Sequence, residues 1–244
     1  MKVTVFTEYN ASMSSEEAVK SYGEGGMNGA LKDFIEKEFG QINFIVHSGD
    51  DDGSALTEEV LKNTDVLVWW GHWYHGQVAD EVANRVVDYV NRGMGLVVLH
   101  SGHESKPFQR LVGATGALSW REMGENERVW IIERNHPIVD GIEEDYIDLE
   151  HEEMYGEPFD IPAPDELITI SWFRGGEVMR SGCVFNRGYG KVFFFRPGHE
   201  TLPTYLNTRI QKVVTNGIKY VKSLRPILSD KRRSKHIPNP PEKI

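Results

Sequence analysis

The stretch that decides the fold runs from Asp65 to His103 and reads DVLVWWGHWYHGQVADEVANRVVDYVNRGMGLVVLHSGH. Within it, Val66 to Trp70 and Leu96 to His100 are short, nearly continuous apolar runs, a pattern typical of strands that are covered on both faces. Between these runs, apolar residues recur at helical spacing and stop at Asn91 to Gly93, a basic last turn followed by glycine. The stretch therefore predicts a strand, a helix and a second, parallel strand.

The same alternation extends toward the start of the chain. Apolar runs at Val3 to Phe6 and Ile42 to Val46 flank a stretch with helical spacing from Ala30 to Phe39. Strands that alternate with helices predict parallel pairing, right-handed crossovers and helices on both faces of the sheet. The predicted fold class is α/β, with a doubly wound, mostly parallel sheet.

Beyond Trp120 the pattern changes to strand-like runs separated by glycine-bearing turns, which predicts hairpins. The runs are Val129 to Ile132, Leu167 to Trp172, Val178 to Met179, Cys183 to Phe185 and Val192 to Phe195. We expect them to extend the sheet, partly antiparallel, before a final helix from about Leu206 to Lys222. After Leu228 the chain becomes basic and rich in proline. We therefore predict one domain over residues 1–228 and a tail over residues 229–244 to which we assign no chemistry.

The charge balance excludes two classes of partner. In 244 residues, 37 acidic against 27 basic side chains give a net charge of -10, a sign that repels nucleic-acid phosphates and anionic lipid. No apolar run approaches the ~18 residues of a membrane span.

The single cysteine, Cys183, can form neither an internal disulfide nor a CxxC site, and the first residues resemble a strand rather than a secretion signal. We therefore expect a cytoplasmic protein.

Histidines are concentrated just past the predicted strands. Five of the nine histidines lie there, and they are His72, His75, His100, His103 and His199. Ligands of open parallel sheets bind beyond the carboxyl ends of the strands, where imidazoles move protons or hold metal ions. A single histidine beside a strand is usually a hydrogen-bonded polar side chain, and the spacing of these histidines matches no standard zinc motif. A metal site therefore depends on whether these residues converge in space.

The segment from Asp148 to Asp160 carries a further histidine, His151, among glutamates. If the segment is extended, Glu150 and Glu152 project to one side while His151 and Glu153 project to the other. One face would then present a histidine and a carboxylate together. The aromatic residues of this segment suit a sugar, whose ring faces stack and whose hydroxyls need acceptors. An acidic, solvated loop is the alternative.

Five segments of the chain carry a family resemblance. They are VLVWWGHWYH (Val66 to His75), GLVVLHSGH (Gly95 to His103), NHPIVDGI (Asn135 to Ile142), EHEEMYGEPF (Glu150 to Phe159) and GKVFFFRPGHE (Gly190 to Glu200). With these segments, in this order, the chain resembles the ThuA-like family, named for trehalose utilisation, of the class I glutamine amidotransferase-like superfamily. The resemblance spans most of the chain. It implies a flavodoxin-like core with a pocket at the strand ends.

The resemblance also places His100 at or next to the position of the amidotransferase cysteine, on a tight elbow between strand and helix. It makes His199 and Glu200 the late histidine–glutamate pair of that superfamily. Because Cys183 lies in a hairpin far along the chain, glutamine hydrolysis through a thiolate is not expected. Ser101 could replace the cysteine, with His199 as base and Glu200 as its orienter, but it lies one place from the centre of the elbow.

The resemblance further implies a carbohydrate setting, in which members act beside oxidoreductases on trehalose and related disaccharides through keto-sugar intermediates. We expect an enzyme that moves protons next to a sugar carbonyl, which requires a base and an electrophile on the carbonyl oxygen. The candidate catalytic residues are His100, His103, Glu152, Glu153, His199 and Glu200; the candidate sugar-binding residues are Glu8, Tyr9, Trp73 and Tyr155; and the candidate zinc ligands are a subset of His72, His75, His103, His151 and His199.

Zinc is the expected ion and no nucleotide cofactor is expected. The expected partners are a small sugar and further copies of the chain, because exposed aromatic residues suit a homo-oligomer. Two alternatives stay open. The first is a sugar-binding or regulatory protein that performs no reaction on a disabled amidotransferase scaffold. The second is a serine hydrolase that uses Ser101.

Overall fold

Nine strands form one mixed sheet in the computed structural model, which describes residues 1–228. The strands are β1 (Val3–Glu8), β2 (Asn43–His47), β3 (Val66–Trp70), β4 (Gly95–Leu99), β5 (Ser119–Ile131), β6 (Tyr146–Gly156), β7 (Glu166–Phe173), β8 (Val178–Arg187) and β9 (Gly190–Phe195). The helices are α1 (Glu16–Tyr22), α2 (Gly26–Phe39), α3 (Glu58–Lys62), α4 (Asp80–Arg92), α5 (Lys106–Val112) and α6 (Thr208–Val221).

The strand order across the sheet is β2-β1-β3-β4-β9-β8-β7-β5-β6. The strands β1, β2, β3, β4 and β9 pair in parallel, and we call them the parallel half. The strands β5 to β8 pair antiparallel, and we call them the antiparallel extension. Because β9 pairs with β4 on one side and antiparallel with β8 on the other, it joins the two regions. The predicted α/β class with antiparallel late strands is confirmed.

Both faces of the parallel half are covered, which explains its continuous apolar runs. Alternate residues of β3 pack on opposite faces. Val66 and Val68 belong to a core that includes residues of α2 and α6, whereas Leu67 and Trp69 belong to a second core that includes residues of α4 and α5. Trp69 and Trp70 are both buried, as predicted. The polar residues that follow these strands are therefore held on a closely packed scaffold.

The antiparallel extension departs more from the sequence patterns. The apolar run predicts the strand only from Val129, but β5 begins at Ser119. The sequence leaves the segment from Asp148 to Asp160 open between an extended segment and a loop, and the structure forms β6 there, from Tyr146 to Gly156. The first half of β5 is polar and mostly exposed, so it lacks the apolar alternation that marks a strand. The turns predicted at Arg174 to Gly176 and Arg187 to Gly190 are confirmed, since they connect β7 to β8 and β8 to β9.

The described part of the chain ends shortly after α6. Leu228 donates its backbone N–H to the carbonyl oxygen of Arg92 over 3.0 Å. The basic, proline-rich tail predicted at residues 229–244 lies outside the described residues. Within residues 1–228, none of the helices is both long enough and apolar enough to pass through a membrane.

Candidate functional site

Three histidines meet where the parallel strands end. His72 follows β3, His100 follows β4 and His199 follows β9, and the carboxyl ends of these strands share one edge of the sheet. Glu153 of β6 completes the group. One ligand atom from each of the four side chains lies within 4.8 Å of all the others. We call His72, His100, Glu153 and His199 the His/Glu cluster.

His100 lies at the elbow after β4 and is the only non-glycine residue with a positive φ, 51°, among residues 1–228. Its ring is fully buried and stacks between Trp70 and Tyr155. Its Nδ1 lies 3.1 Å from the carbonyl oxygen of Arg196, to which it donates. In the neutral ring the Nε2 atom then has no proton, and it faces Glu153 Oε2 at 3.3 Å. Burial, followed by the positive charge of neighbouring histidines, lowers the pKa of His100 well below its ordinary value.

His72 is oriented by Glu200. The Nδ1 of His72 lies 2.7 Å from Glu200 Oε2, and the other carboxylate oxygen of Glu200 accepts hydrogen bonds from Asn10 (3.3 Å) and Ser12. Burial alone would lower the pKa of His72, but the hydrogen bond and charge of Glu200 raise it above its ordinary value. Burial would raise the pKa of Glu200, but His72 holds it far below the ordinary value. The two side chains therefore favour each other's ionised form, and the Nε2 of His72 is left for the cluster.

His199 is held from behind by Thr201. The Nδ1 of His199 lies 3.0 Å from the Thr201 hydroxyl and 3.2 Å from its backbone N–H. The Nε2 of His199 lies 3.9 Å from Glu153 Oε2 and 3.5 Å from Glu122 Oε1. The side chain of Glu122 is 56% exposed, so it is the carboxylate at the solvent side of the cluster. The sequence patterns did not single out Glu122, because it lies in the polar half of β5.

A β-bulge in β6 brings Glu153 to the cluster. Leu149 pairs with Glu127, but Glu152 pairs with Glu125, so three residue steps on β6 oppose two on β5. An extra residue in one strand changes which side chains face inward. Past the bulge every residue of β6 from Glu152 to Gly156 is buried, because both faces of the strand are covered there. The Oε2 atom of Glu153 is buried without a hydrogen-bond partner.

The bulge also overturns the alternation predicted for this segment. Glu150 and Glu152 do not share an environment, because Glu150 is exposed and Glu152 is fully buried. The side chain of His151 is 59% exposed, and its Nδ1 lies 3.0 Å from the carbonyl oxygen of Gly124. Regular strand alternation predicted that His151 lies with the other histidines. The structure does not bring it to them.

A buried ion-pair network supports the cluster from below. Arg196, directly after β9, forms ion pairs with Glu127 at 2.5 Å and Glu152 at 2.8 Å, and all three side chains are fully buried. Arg196 also donates to the backbone carbonyl of Glu153. Burial raises the pKa of Glu127 to about 7, although the charge of Arg196 opposes this. Glu152, a predicted catalytic residue, thus lies behind the cluster, where Arg196 and Thr204 bind its carboxylate.

Two predicted histidines lie beside the cluster without joining it. His103 Nδ1 lies 2.8 Å from the carbonyl oxygen of Gly116, and the ring packs edge-on against Tyr155. Burial lowers the pKa of His103 to about 4 and that of His75 to about 3, so both are neutral at pH 7. Ser101 hydrogen-bonds Tyr155 rather than His199. The arrangement lacks the base contact that a serine nucleophile requires.

Predicted sugar-binding residues lie at the same edge of the sheet. The carboxylate of Glu8 accepts the backbone N–H groups of Trp73 and Tyr74, so it fixes the loop after β3. Tyr9 and Trp73 are half-exposed, whereas Tyr155 is buried against His100. Two residues to which the sequence patterns gave no role are Asn10, two positions after β1, and Arg196, directly after β9. Their position at strand ends was the signal that could have identified them.

Comparisons with known proteins address the family. The ThuA family model, described as trehalose utilisation, matches residues 2–221. A solved ThuA-like protein from Parabacteroides merdae is 15% identical, over 94% of this chain and 93% of its own, with a TM-score of 0.67. One from Bacteroides uniformis is 14% identical, over 90% of this chain and 91% of its own, with a TM-score of 0.59. No curated protein sequence matches the chain.

The same fold occurs within larger proteins. A β-galactosidase from Rahnella sp. R3 is 12% identical, over 92% of this chain but 32% of its own, with a TM-score of 0.57. Identities this low show a shared fold and nothing about the reaction. The family model, by contrast, covers nearly the whole chain. This protein belongs to the ThuA family.

Proposed function

We propose that this protein is an enzyme of carbohydrate utilisation that moves protons next to the carbonyl of a keto sugar derived from trehalose or a related disaccharide. Its family supports a role in carbohydrate utilisation. The observation that carries the chemical part is the His/Glu cluster, whose ligand atoms lie within 4.8 Å of one another. Ionisable groups gathered beyond the strand ends of an α/β sheet are the usual arrangement of an active site.

The donor atoms of the cluster fit a zinc ion. Donors around tetrahedral zinc lie about 3.3 Å apart, given bonds of about 2.0–2.1 Å. The Nε2 of His100 lies 3.3 Å from Glu153 Oε2, and the Nε2 of His199 lies 3.9 Å from the same oxygen. A bound cation would also satisfy this oxygen, which is buried without a hydrogen-bond partner. We therefore assign the ion to the four side chains of the cluster.

His72 supports this assignment through its second nitrogen. With Nδ1–H donated to Glu200, Nε2 is the atom that points to the ion, and a carboxylate behind a ligating histidine is common in zinc proteins. His199 is held differently, because its Nδ1 accepts the backbone N–H of Thr201, and an ion would take the place of a proton on its Nε2. Because Glu200 raises the pKa of His72, zinc would compete with a proton for the Nε2 of this ring. Zinc binding should therefore release protons.

Proton transfer requires a base that the sugar can reach. When bound, the ion would supply an electrophile for the carbonyl oxygen of the sugar. Glu122 is the exposed carboxylate beside His199, and we assign to it removal of the proton from the carbon next to the carbonyl. The protonated Glu122 then delivers this proton to the former carbonyl carbon. The hydroxyl proton of the carbon that lost its hydrogen passes to the former carbonyl oxygen, so that carbonyl and hydroxyl exchange places and the sugar is isomerised. The half-exposed Tyr9 and Trp73 would pack against the sugar rings.

The metal assignment is tested by elemental analysis of the purified full-length chain. Glu153→Gln keeps the shape of the side chain but removes the ligand charge, and we expect bound zinc to fall about tenfold or more. Glu150→Gln is the matched control, because Glu150 lies on the same strand with its side chain exposed. Equal zinc content in the two variants, or no zinc in the wild-type protein after zinc loading, would overturn the assignment.

The reaction is tested with 3-keto-trehalose in D₂O, followed by NMR. We expect the wild-type protein to exchange the hydrogen next to the carbonyl for deuterium, and Glu122→Gln to slow this exchange about 100-fold. Saturable chemical-shift changes without exchange would replace the enzyme with a sugar-binding protein. Ser101→Ala should leave exchange intact, since Ser101 contacts Tyr155 instead of a base.

Three broader predictions remain part of the proposal. Helices pack on both faces of the parallel half, which supports a doubly wound, flavodoxin-like classification. Trp130 and Val178 are exposed on the outer face of the antiparallel extension, which supports a homo-oligomer, and size-exclusion chromatography with light scattering tests it. A cytoplasmic location is tested by cell fractionation.

A further inference from the structure

A large groove at the other end of β9 carries an excess of positive charge. Its volume is about 1080 Å³, and it is lined by Arg134, Lys191, Lys212, Lys219, Lys222 and Arg225, which we call the basic groove. Lys191 lies at the start of β9, whereas His199 follows the end of this strand. At about 3.3 Å per residue, the two ends of β9 are about 17 Å apart. The basic groove is therefore separate from the His/Glu cluster.

Most of these cations have no carboxylate partner. Arg134 pairs with Asp145, and Lys219 pairs with Glu38. Within residues 1–228, the other four, Lys191, Lys212, Lys222 and Arg225, form no ion pair. Asp140 is the one acidic residue in the lining of the groove. In a chain with a net charge of -10, such a concentration of unpaired cations is a local reversal of sign.

The helix dipole explains only part of this charge. Lys219 and Lys222 lie at the end of α6, where cations interact favourably with the carboxyl end of the helix. This effect is confined to the last turn, so it does not reach Lys212, in the first half of α6, or Lys191, on a strand. The helix dipole therefore does not account for Lys191 and Lys212 in the groove.

The floor of the groove holds Lys191 in position. Its ammonium lies 3.8 Å from the centre of the Tyr220 ring, and the Tyr220 hydroxyl donates to Glu166 over 2.7 Å. His136 is buried beside the same ring and binds Glu166 at 2.7 Å. Asn216 fixes the opposite wall by donating to the backbone carbonyls of residues 138 and 140. A cation that is held before a ligand arrives loses little conformational entropy on binding.

We propose that the basic groove binds a small phosphorylated organic molecule. A phosphate monoester carries up to two negative charges and three acceptor oxygens, and it matches several lysines better than a single carboxylate does. The volume of the groove is that of a small-molecule site. The net negative charge of the rest of the chain repels a long polyanion such as RNA, but a small anion does not extend beyond the groove.

The experiment uses glucose 6-phosphate as the probe, with inorganic phosphate and glucose in parallel, and measures binding to the full-length chain by calorimetry. We expect saturable binding of glucose 6-phosphate and none of glucose. The double variant Lys191→Gln with Lys212→Gln should weaken this binding about tenfold or more. A double variant with Lys20→Gln and Lys62→Gln, both exposed and outside the groove, is the matched control and should bind as the wild type does.

The three ligands show which chemical group the groove recognises. Binding of both phosphates would assign recognition to the phosphoryl group, and binding of glucose 6-phosphate alone would add the sugar to it. No binding at millimolar concentration, equal binding by both double variants, or binding of RNA in preference to glucose 6-phosphate would overturn the proposal. Zinc content and deuterium exchange should be unchanged in the groove variant, so this result does not depend on the proposed reaction.

Discussion

The parallel half and the antiparallel extension contribute to the same cluster in different ways. The parallel half supplies His72, His100 and His199 from positions just after its strands. Parallel strands end at one edge, so side chains that follow them are brought together by topology alone. The antiparallel extension supplies Glu153 from within a strand, and the bulge in β6 gives this residue its inward position. The topology of the sheet thus positions the residues that follow strand ends, whereas a local irregularity positions the residue that lies within a strand.

The two regions are joined by buried charge. Arg196 follows β9 of the parallel half, and its partners Glu127 and Glu152 belong to the antiparallel extension. A buried charge that loses its partner destabilises a protein strongly, because the remaining ion has no solvent to replace the interaction. The following predictions test how the two regions depend on each other.

The largest effect is expected for Arg196→Met. This change leaves Glu127 and Glu152 buried without their cation, and we expect the free energy of unfolding to fall by about 3–5 kcal/mol. Urea unfolding followed by circular dichroism measures it. Arg209→Met is the control, since Arg209 pairs with Glu144 at the surface and its loss should change little. Similar losses in the two variants would show that the network does not join the regions.

The next effect concerns pH. Because burial raises the pKa of Glu127 to about 7, the folded chain takes up a proton that the unfolded chain lacks between pH about 4.5 and 7. This contribution makes the protein less stable as pH rises through that window, by up to about 1.4 kcal/mol per pH unit. Glu127→Gln removes it. The wild-type minus variant difference in unfolding free energy should therefore fall from pH 5 to pH 7, and a flat difference would contradict the assignment. Glu150→Gln should show no such trend.

A smaller effect is expected at the contact between Tyr155 of the antiparallel extension and Ser101 of the parallel half. Tyr155→Phe removes their hydrogen bond and should cost about 1 kcal/mol of unfolding free energy. Ser101→Ala should cost a similar amount. In the double variant both hydrogen-bonding groups are absent, so neither is left buried without a partner. Its loss of unfolding free energy should therefore be smaller than the sum of the two single losses. Additive losses in urea unfolding would show that the two hydroxyls do not interact.

The smallest effect is expected for His151→Asn. His151 is exposed and lies outside the cluster, so the change should alter the unfolding free energy by less than about 0.5 kcal/mol and leave zinc content unchanged. Elemental analysis and urea unfolding measure both quantities. A loss of zinc in this variant would mean that β6 lacks the bulge in solution and that His151 faces the cluster.

More of the site residues of the parallel half than of the antiparallel extension could be predicted from the sequence. The apolar runs that end before His72, His100 and His199 are visible in the sequence, and so is their common edge once parallel pairing is inferred. Glu200 was identified through the family resemblance, as part of the late histidine–glutamate pair. Glu122 and Glu127 were not, because they lie in the polar stretch of β5, which has no strand pattern. The position of His151 was predicted from regular alternation, and the bulge removes that regularity.

The hydrophobic periodicity of the sequence alone determined the α/β class, the parallel pairing of the first strands and the edge at which the histidines lie. The reason is that a strand buried on both faces requires a nearly continuous apolar run. Tertiary structure decided which histidines meet, which glutamate joins them and which cations line the basic groove. These choices depend on a one-residue bulge and on contacts between residues distant in the chain, such as Arg196 with Glu127 and Lys191 with Tyr220. Neither the bulge nor these contacts produce a periodic pattern in the sequence, because the packing of whole elements decides them rather than the spacing of residues along the chain.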